Sequence, residues 1–322
     1  MKKTWTATWQ AGTPLSAERG AQPGGSAEAQ GDLPPFCREP STRTGRVISL
    51  LSDYGLEDGL VGSLHGVLRS YLPGVAIVDI THGVPAHDVR AGSLALLRAA
   101  PYLAPGVVLA VVDPRVGTER RAVAVKAARA SLTFVGPDNG LLLPALDALG
   151  GPASAVELTD RGYWLETPGP TFAGRDIFAP AAARLAAGAS LEDLGVPIDT
   201  GGLVGLPAPL LSRLAGGSFA AEVTWIDRFG NVQLAARREE LPEGTTELRV
   251  SIGCPGRSSA AKVAAAYGQL APGELGLLVD SYGHLALSLN EASAAESLGV
   301  GEQEVVIVEP LAPQPRNSYS GA

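Results

Sequence analysis

Four aspartates stand where apolar runs give out: Asp53 in "LLSDYG" (50–55), Asp79 in "IVDITHG" (77–83), Asp113 in "VVDPRVG" (111–117) and Asp138 in "VGPDNG" (135–140), with His82 and His87 close by. Three kinds of chemistry use a carboxylate in such a place. With imidazole beside it, the carboxylate can ligate magnesium, manganese or zinc. Alone, it can hold the paired hydroxyls of a ribose, as the acidic residue of dinucleotide folds does. It can also simply close a turn, as many Asp-Pro pairs do. No HxxxH or HExxH pairing accompanies the histidines, so no metal site is expected, and His65, inside a helical stretch, reads as structural. GxGxxG and GxxxxGK[ST] are missing too, which leaves a nucleoside without a pyrophosphate as the better fit to these acids.

The elements that must position these residues read as strand, helix, strand. "GVVLA" and "VVD" run together as a buried parallel strand that places Asp113 at its carboxyl end, facing the crevice where open α/β sheets bind ligands. Residues 46–55 and 75–83 are two further strands, and 56–72 and 87–103 are helices, the second capped by Asp88. Residues 122–127 and 132–146 follow. The rhythm predicts an α/β domain over 46–190 with a mostly parallel sheet and flanking helices. A Gly/Pro-rich linker is expected over 191–210 and a smaller, β-rich and barrel-like domain over 211–310, with helical pieces at "AKVAAAYGQL" and "NEASAAESLG". Residues 1–45 and 311–322, rich in Gly, Pro, Ala and Ser, read as flexible extensions.

Composition narrows the partners. A net charge of −8 without a basic cluster argues against nucleic acid, and no apolar run approaches the ~18 residues of a membrane helix. Cys37 and Cys254 are too few for a disulfide framework or a thiolate zinc site, which fits a reducing cytoplasm. A small-molecule substrate is the remaining class.

Seven motifs occur in order: "LLSDYG", "IVDITHGVPAHDV" (77–89), "VVDPRVGTERR" (111–121), "VGPDNGLL" (135–142), "TFAGRDIFAPAAA" (171–183), "IDRFGNV" (226–232) and "DSYGHLALSLN" (280–290). The set resembles the S-adenosyl-L-methionine (SAM) hydrolase family, also called SAM hydroxide adenosyltransferases, relatives of the SAM-dependent fluorinase and chlorinase. The resemblance spans about residues 46–310. It implies an N-terminal α/β domain, a C-terminal barrel-like domain and a homotrimer with active sites between subunits. It also implies attack of water on C5′ of SAM, releasing methionine and adenosine with neither metal nor cofactor. Asp53 matches the acid that holds the ribose; Tyr54, Phe172, Gly174, Asp227, Phe229, Asn231, Ser281, Tyr282 and Asn290 fall in the substrate-binding motifs. Asp113 and Arg120 match two members of an Asp-Arg-His set that resembles the water-activating triad.

The third member should be the His of "TFHGRD", and this chain has Ala173 there. Alanine moves no proton, so His87, in the pocket-lining segment, is expected to stand in for part of the lost function, with Arg115 the other candidate. Halogenating relatives carry a tyrosine at the position of Asp113. The carboxylate therefore favours water over a bare halide, which it would repel. A halogenase, a non-catalytic SAM or adenosine binder and a metal phosphohydrolase are the other readings. Chlorinated nucleoside, binding without turnover and sensitivity to chelators, respectively, would reveal them.

Overall fold

The computed structural model describes residues 47–253 and 257–311, which form two compact units meeting in sequence at Leu206/Pro207. The N-terminal and C-terminal extensions, as well as Cys37 and Cys254, lie outside the described residues.

In the first unit, β1 (Val47–Ser52), β2 (Ala76–Thr81), β3 (Gly106–Val111), β4 (Ala122–Ala127), β5 (Leu132–Pro137), β6 (Pro152–Glu157) and β7 (Val196–Ile198) form one sheet in the order β2-β1-β3-β5-β4-β6-β7. The pairs β2–β1, β1–β3 and β3–β5 are parallel; β4, β6 and β7 join antiparallel. The sheet is thus parallel through the strands that carry Asp53 and Asp113 and antiparallel beyond them. β3 is apolar almost throughout because both of its faces are covered. Val107, Leu109 and Val111 enter the core under α1 (Leu60–Tyr71) and α4 (Ala179–Ala186), while Val108 and Ala110 enter the opposite core under α2 (Val89–Ala99) and α3 (Leu143–Ala148). Within α1, Val61, Leu64 and Leu68 make the buried stripe. As expected, Asp88 caps α2, its Oδ1 accepting from the Ala91 N–H at 2.8 Å.

The stretch 191–210 is more ordered than its Gly/Pro content implies. Leu191 and Leu194 are buried in the first core, β7 pairs with β6, and the buried carboxylate of Asp138 accepts from the Val204 N–H at 2.8 Å. Short strands packed on a larger body need no periodicity of their own, which is why this one reads as linker in the sequence.

The second unit contains β8 (Leu211–Arg213), β9 (Phe219–Ile226), β10 (Val232–Arg237), β11 (Glu247–Ile252), β12 (Arg257–Val263), β13 (Leu275–Val279), β14 (His284–Leu289), α5 (Ala294–Leu298) and β15 (Val305–Pro310). Its order is β10-β14-β13-β12-β11-β15-β9-β8, and β10 also pairs with β9. Seven strands therefore close a barrel, with β8 added outside on β9. Alternate residues fill it: Phe219, Ala221 and Val223 from β9, Val232, Leu234 and Ala236 from β10, Leu285 and Leu287 from β14. "AKVAAAYGQL", expected to be helical, instead supplies the end of β12 and a single turn at Tyr267–Gln269, because Ala261 and Val263 pack as strand residues in the barrel wall.

Candidate active site

The sheet order reverses direction at β1, with β2 on one side and β3 on the other. That switch point lies at the carboxyl ends of β1 and β3, where open α/β sheets bind ligands in a crevice; Asp53 is the first residue beyond β1 and Asp113 the second beyond β3. The spacing is a consequence of the apolar runs: where the run ends, the chain leaves the sheet and its next polar side chains face the crevice.

Asp113 is gripped by Arg120 from across the Pro-Arg-Val-Gly turn. Arg120 Nε donates to both carboxylate oxygens at 3.0 and 2.9 Å, and Nη2 donates to Oδ2 at 2.5 Å. The two side chains are only 5% and 8% exposed, so the charges are paired away from bulk water and fixed in orientation. Arg120 also lies 5.1 Å above the ring of Phe178, which covers the guanidinium plane.

Tyr54 stands at the centre of this charge cluster. Burial pushes its hydroxyl well above the ordinary phenol range, and Asp53, Asp113 and Asp176 add to that while Arg120 opposes it. Its ring meets Phe172 edge-on at 5.3 Å. The hydroxyl lies against Gly174 so closely that a Cβ there would overlap it. Gly174–Phe178 is a π-helical turn leading into α4, a local widening that recurs at functional sites. It turns the buried Asp176 inward, held by Arg175 Nε at 2.6 Å, while Arg175 stacks 5.0 Å from the Phe172 ring. Ala173, 7% exposed, is buried in the core that Tyr54 and Phe172 pack against.

Asp53 is held by the main chain of His87, whose N–H donates to Oδ2 at 2.9 Å. His87 has φ 69°, a left-handed conformation uncommon for a residue with a Cβ, and is itself exposed. The first unit therefore gathers Asp53, Tyr54, His87, Asp113, Arg120, Phe172 and Gly174 on neighbouring loops. Arg115 is exposed on the turn between Asp113 and Arg120.

The expected residues of the second unit divide between turns. Asp227 and Asn231 close the β9–β10 turn on one another: Asp227 Oδ1 accepts from the Phe229 and Asn231 N–H groups at 2.9 Å and Oδ2 accepts from Asn231 Nδ2 at 2.7 Å, leaving Phe229 72% exposed. Ser281 and Tyr282 lie exposed in the β13–β14 turn, where Asp280 Oδ1 accepts from the Tyr282 and His284 N–H groups. Asn290 donates to the Leu270 carbonyl at 2.8 Å. Beside Tyr282 are Trp225, 6.3 Å from it edge-on, and the buried Gln233, which donates to Asp280. Trp225, Gln233, Asp280 and, in the first unit, Asp176 are absent from the sequence-derived set. For two of them the sequence carries a signal: Asp176 in an Arg-Asp pair inside an otherwise apolar run, and Asp280 as the first residue of "DSYGHLALSLN".

Comparison with known proteins fits this geometry. Residues 48–195 match the SAM hydroxide adenosyltransferase N-terminal domain and residues 221–307 its C-terminal domain. A relative named (R)-S-adenosyl-L-methionine hydrolase from Salinispora tropica is 51% identical over 253 residues, 79% of this chain and 94% of the relative. A fluorinase from Nocardia brasiliensis is 31% identical, with 79% and 94% covered. A crystal structure of an uncharacterized conserved protein from Thermotoga maritima superposes with a TM-score of 0.74 at 33% identity, covering 81% of this chain and 99% of that one. With both domain models matched in order across the strand-end carboxylates and the barrel, the chain belongs to the SAM hydroxide adenosyltransferase family.

Proposed function

We propose that this protein hydrolyses S-adenosyl-L-methionine to adenosine and L-methionine, with the buried Asp113–Arg120 pair at the switch point as the observation that carries the chemistry. The oxygen of water attacks C5′, the C5′–S bond breaks, and its electron pair neutralises the sulfonium as the thioether of methionine. The proton released by water passes to a base or to solvent. Because the leaving group is already cationic, the protein's task is to place one water in line and to exclude others, not to activate the carbon. Asp113 is the acceptor that orients this water. Both of its oxygens are fixed by Arg120, so it costs little to organise at the moment of reaction. By the same logic a halide is repelled from the site.

Asp53 takes the ribose hydroxyls, and Tyr54 and Phe172 pack near them. The turns carrying Asp227, Phe229, Asn231, Ser281, Tyr282 and Asn290 supply the adenosine side, and the motif set supports a homotrimer that brings such turns to a neighbouring crevice. Light scattering at three times the 32.9 kDa chain mass tests that assembly. The (R) epimer at sulfur is the substrate, in keeping with the name of the Salinispora relative. The turnover of a cytoplasmic metabolite also fits a chain with no membrane-crossing helix among its described residues.

His87 serves through its backbone. Its amide holds Asp53 and its exposed ring adds nothing essential, so the loss of the imidazole at Ala173 is borne by Asp113 and ordered water. The deciding experiment is a product assay on metal-stripped protein with chloride varied. Equal adenosine and methionine are expected, with no chlorinated nucleoside and no effect of a chelator. Asp113→Asn is expected to lower kcat by about 10²–10⁴-fold while calorimetry still detects bound SAM. His87→Gly is expected to stay within several-fold of the parent. SAM bound but unchanged by the parent protein would make it a binder and overturn the proposal.

A further inference from the structure

Away from the Asp113–Arg120 pair, two of the chain's four histidines meet on one carboxylate. His65 Nε2, from the middle of α1, lies 3.0 Å from Asp79 Oδ1, and His82 Nε2, one residue beyond β2, lies 3.1 Å from the same oxygen. All three ligand atoms fall within 4.8 Å of one another. On the far side of the His82 ring, Nδ1 is 2.7 Å from the buried Ser52 Oγ, which fixes the ring's orientation. His82 is 4% exposed, His65 28% and Asp79 43%, so the cluster has protein behind it and solvent in front.

We propose that His65, Asp79 and His82 bind one divalent transition-metal ion of the zinc class, with water completing its coordination. Two imidazoles and one carboxylate suit such an ion better than magnesium or calcium, which prefer all-oxygen shells. Tetrahedral bonds of 2.0–2.1 Å put ligand atoms about 3.3 Å apart, so each Nε2–Oδ1 pair opens by a few tenths of an ångström while the two imidazole nitrogens, within 4.8 Å of each other, settle to the same spacing. Both imidazoles converge on the same Asp79 oxygen, which makes this carboxylate the anionic ligand of the set. Without the ion, each Nε2 carries the proton donated to Asp79, because a carboxylate only accepts, and His82 Nδ1 accepts from the Ser52 hydroxyl. With the ion, the proton of each ring moves to Nδ1, and His82 donates to Ser52, an outer partner of the kind that orients metal-bound histidines.

The ion would tie α1 to β2, an edge strand that among the described residues pairs only with β1 and is partly exposed along its length. The same histidine reaches the loop that carries Asp53: the His82 carbonyl accepts from the Gly55 N–H at 2.8 Å, and Ser52 Oγ accepts from the Tyr54 N–H. The ion is a fastening of this loop's support and takes no part in displacement at C5′.

The test uses the full chain with Cys37→Ser and Cys254→Ser, so that no thiol competes for metal. Titration with zinc chloride is expected to saturate at one ion per chain, cobalt(II) to give the visible bands of a low-coordinate nitrogen–oxygen site, and excess zinc to raise Tm by several degrees. His65→Gln keeps a donor for Asp79 but loses the imidazole ligand. It is expected to fold and to turn over SAM like the parent, while zinc affinity falls at least about 10-fold and the Tm response disappears. Asp79→Asn should lose affinity in the same way. No saturable zinc binding, or binding unchanged in both variants, overturns the site. Since the readouts are binding and Tm, either result leaves the hydrolase proposal standing or falling on its own assay.

Discussion

Tyr54 keeps its proton where an exposed phenol releases it, and this has a measurable consequence for folding. Burial raises its folded pKa above the ordinary value near 10, and burial likewise pushes Tyr163 up to about 12. Below pH 10 both states hold these protons, so the stabilisation is complete. Above it the unfolded chain releases protons that the folded chain keeps, and stability falls by up to about 1.4 kcal/mol per pH unit for each such group. Tm is therefore expected to drop steeply between about pH 10 and 12. In a thermal-melt series Tyr54→Phe should remove roughly half of that slope; an unchanged slope would mean that Tyr54 titrates like a surface phenol. At this scale the site was partly legible. Asp53 and Asp113 announce themselves because an apolar run must end somewhere and the next acid faces the crevice. The role of His87 did not, because a backbone amide donated from a left-handed residue leaves no trace in residue type.

The π-helical turn at Gly174–Phe178 shows how an element can decide what its residues do. A regular α-helical entry to α4 would place Asp176 and Phe178 on different bearings. The wider turn instead puts Phe178 under Arg120 and leaves room at Gly174 for the Tyr54 hydroxyl. Sequence periodicity cannot register this, since one widened turn shifts the pattern by a single residue and "FAGRDIF" reads equally well as a loop or a helix start. Gly174→Ala tests the element directly. The methyl group has nowhere to go except into Tyr54, so an overpacking cost of about 1–3 kcal/mol is expected in chemical denaturation. Displacement of Tyr54 should also reduce kcat/KM for SAM at least about 10-fold. Gly174→Ala with parental stability and activity would show that the phenol can withdraw without loss, and that the close approach has no functional role.

On the scale of the whole molecule, the two units differ in what sequence can say about them. The first is written in contiguous signals: buried runs of β1 and β3, the stripe of α1, the Asp88 cap. Its antiparallel strands β4, β6 and β7 are less legible, because direction within a sheet depends on connections and not on composition. The second unit was recognisable as β-rich, but its closure rests on the β9–β10 pairing added to an otherwise open order, a long-range fact that no local window contains. Closure has a physical consequence, since a ring of seven strands removes the edges that make open sheets associate. The barrel also owns a complete interior, from Phe219 and Val223 through Leu248 and Leu277 to Val306 and Val308, supplied by residues beyond Pro207. The segment 207–322 expressed alone is therefore expected to be soluble and to unfold in one cooperative transition, with β-type circular dichroism and slow amide exchange along β9, β10 and β14. A non-cooperative melt with unprotected amides would show instead that the barrel needs the α/β unit to hold it closed.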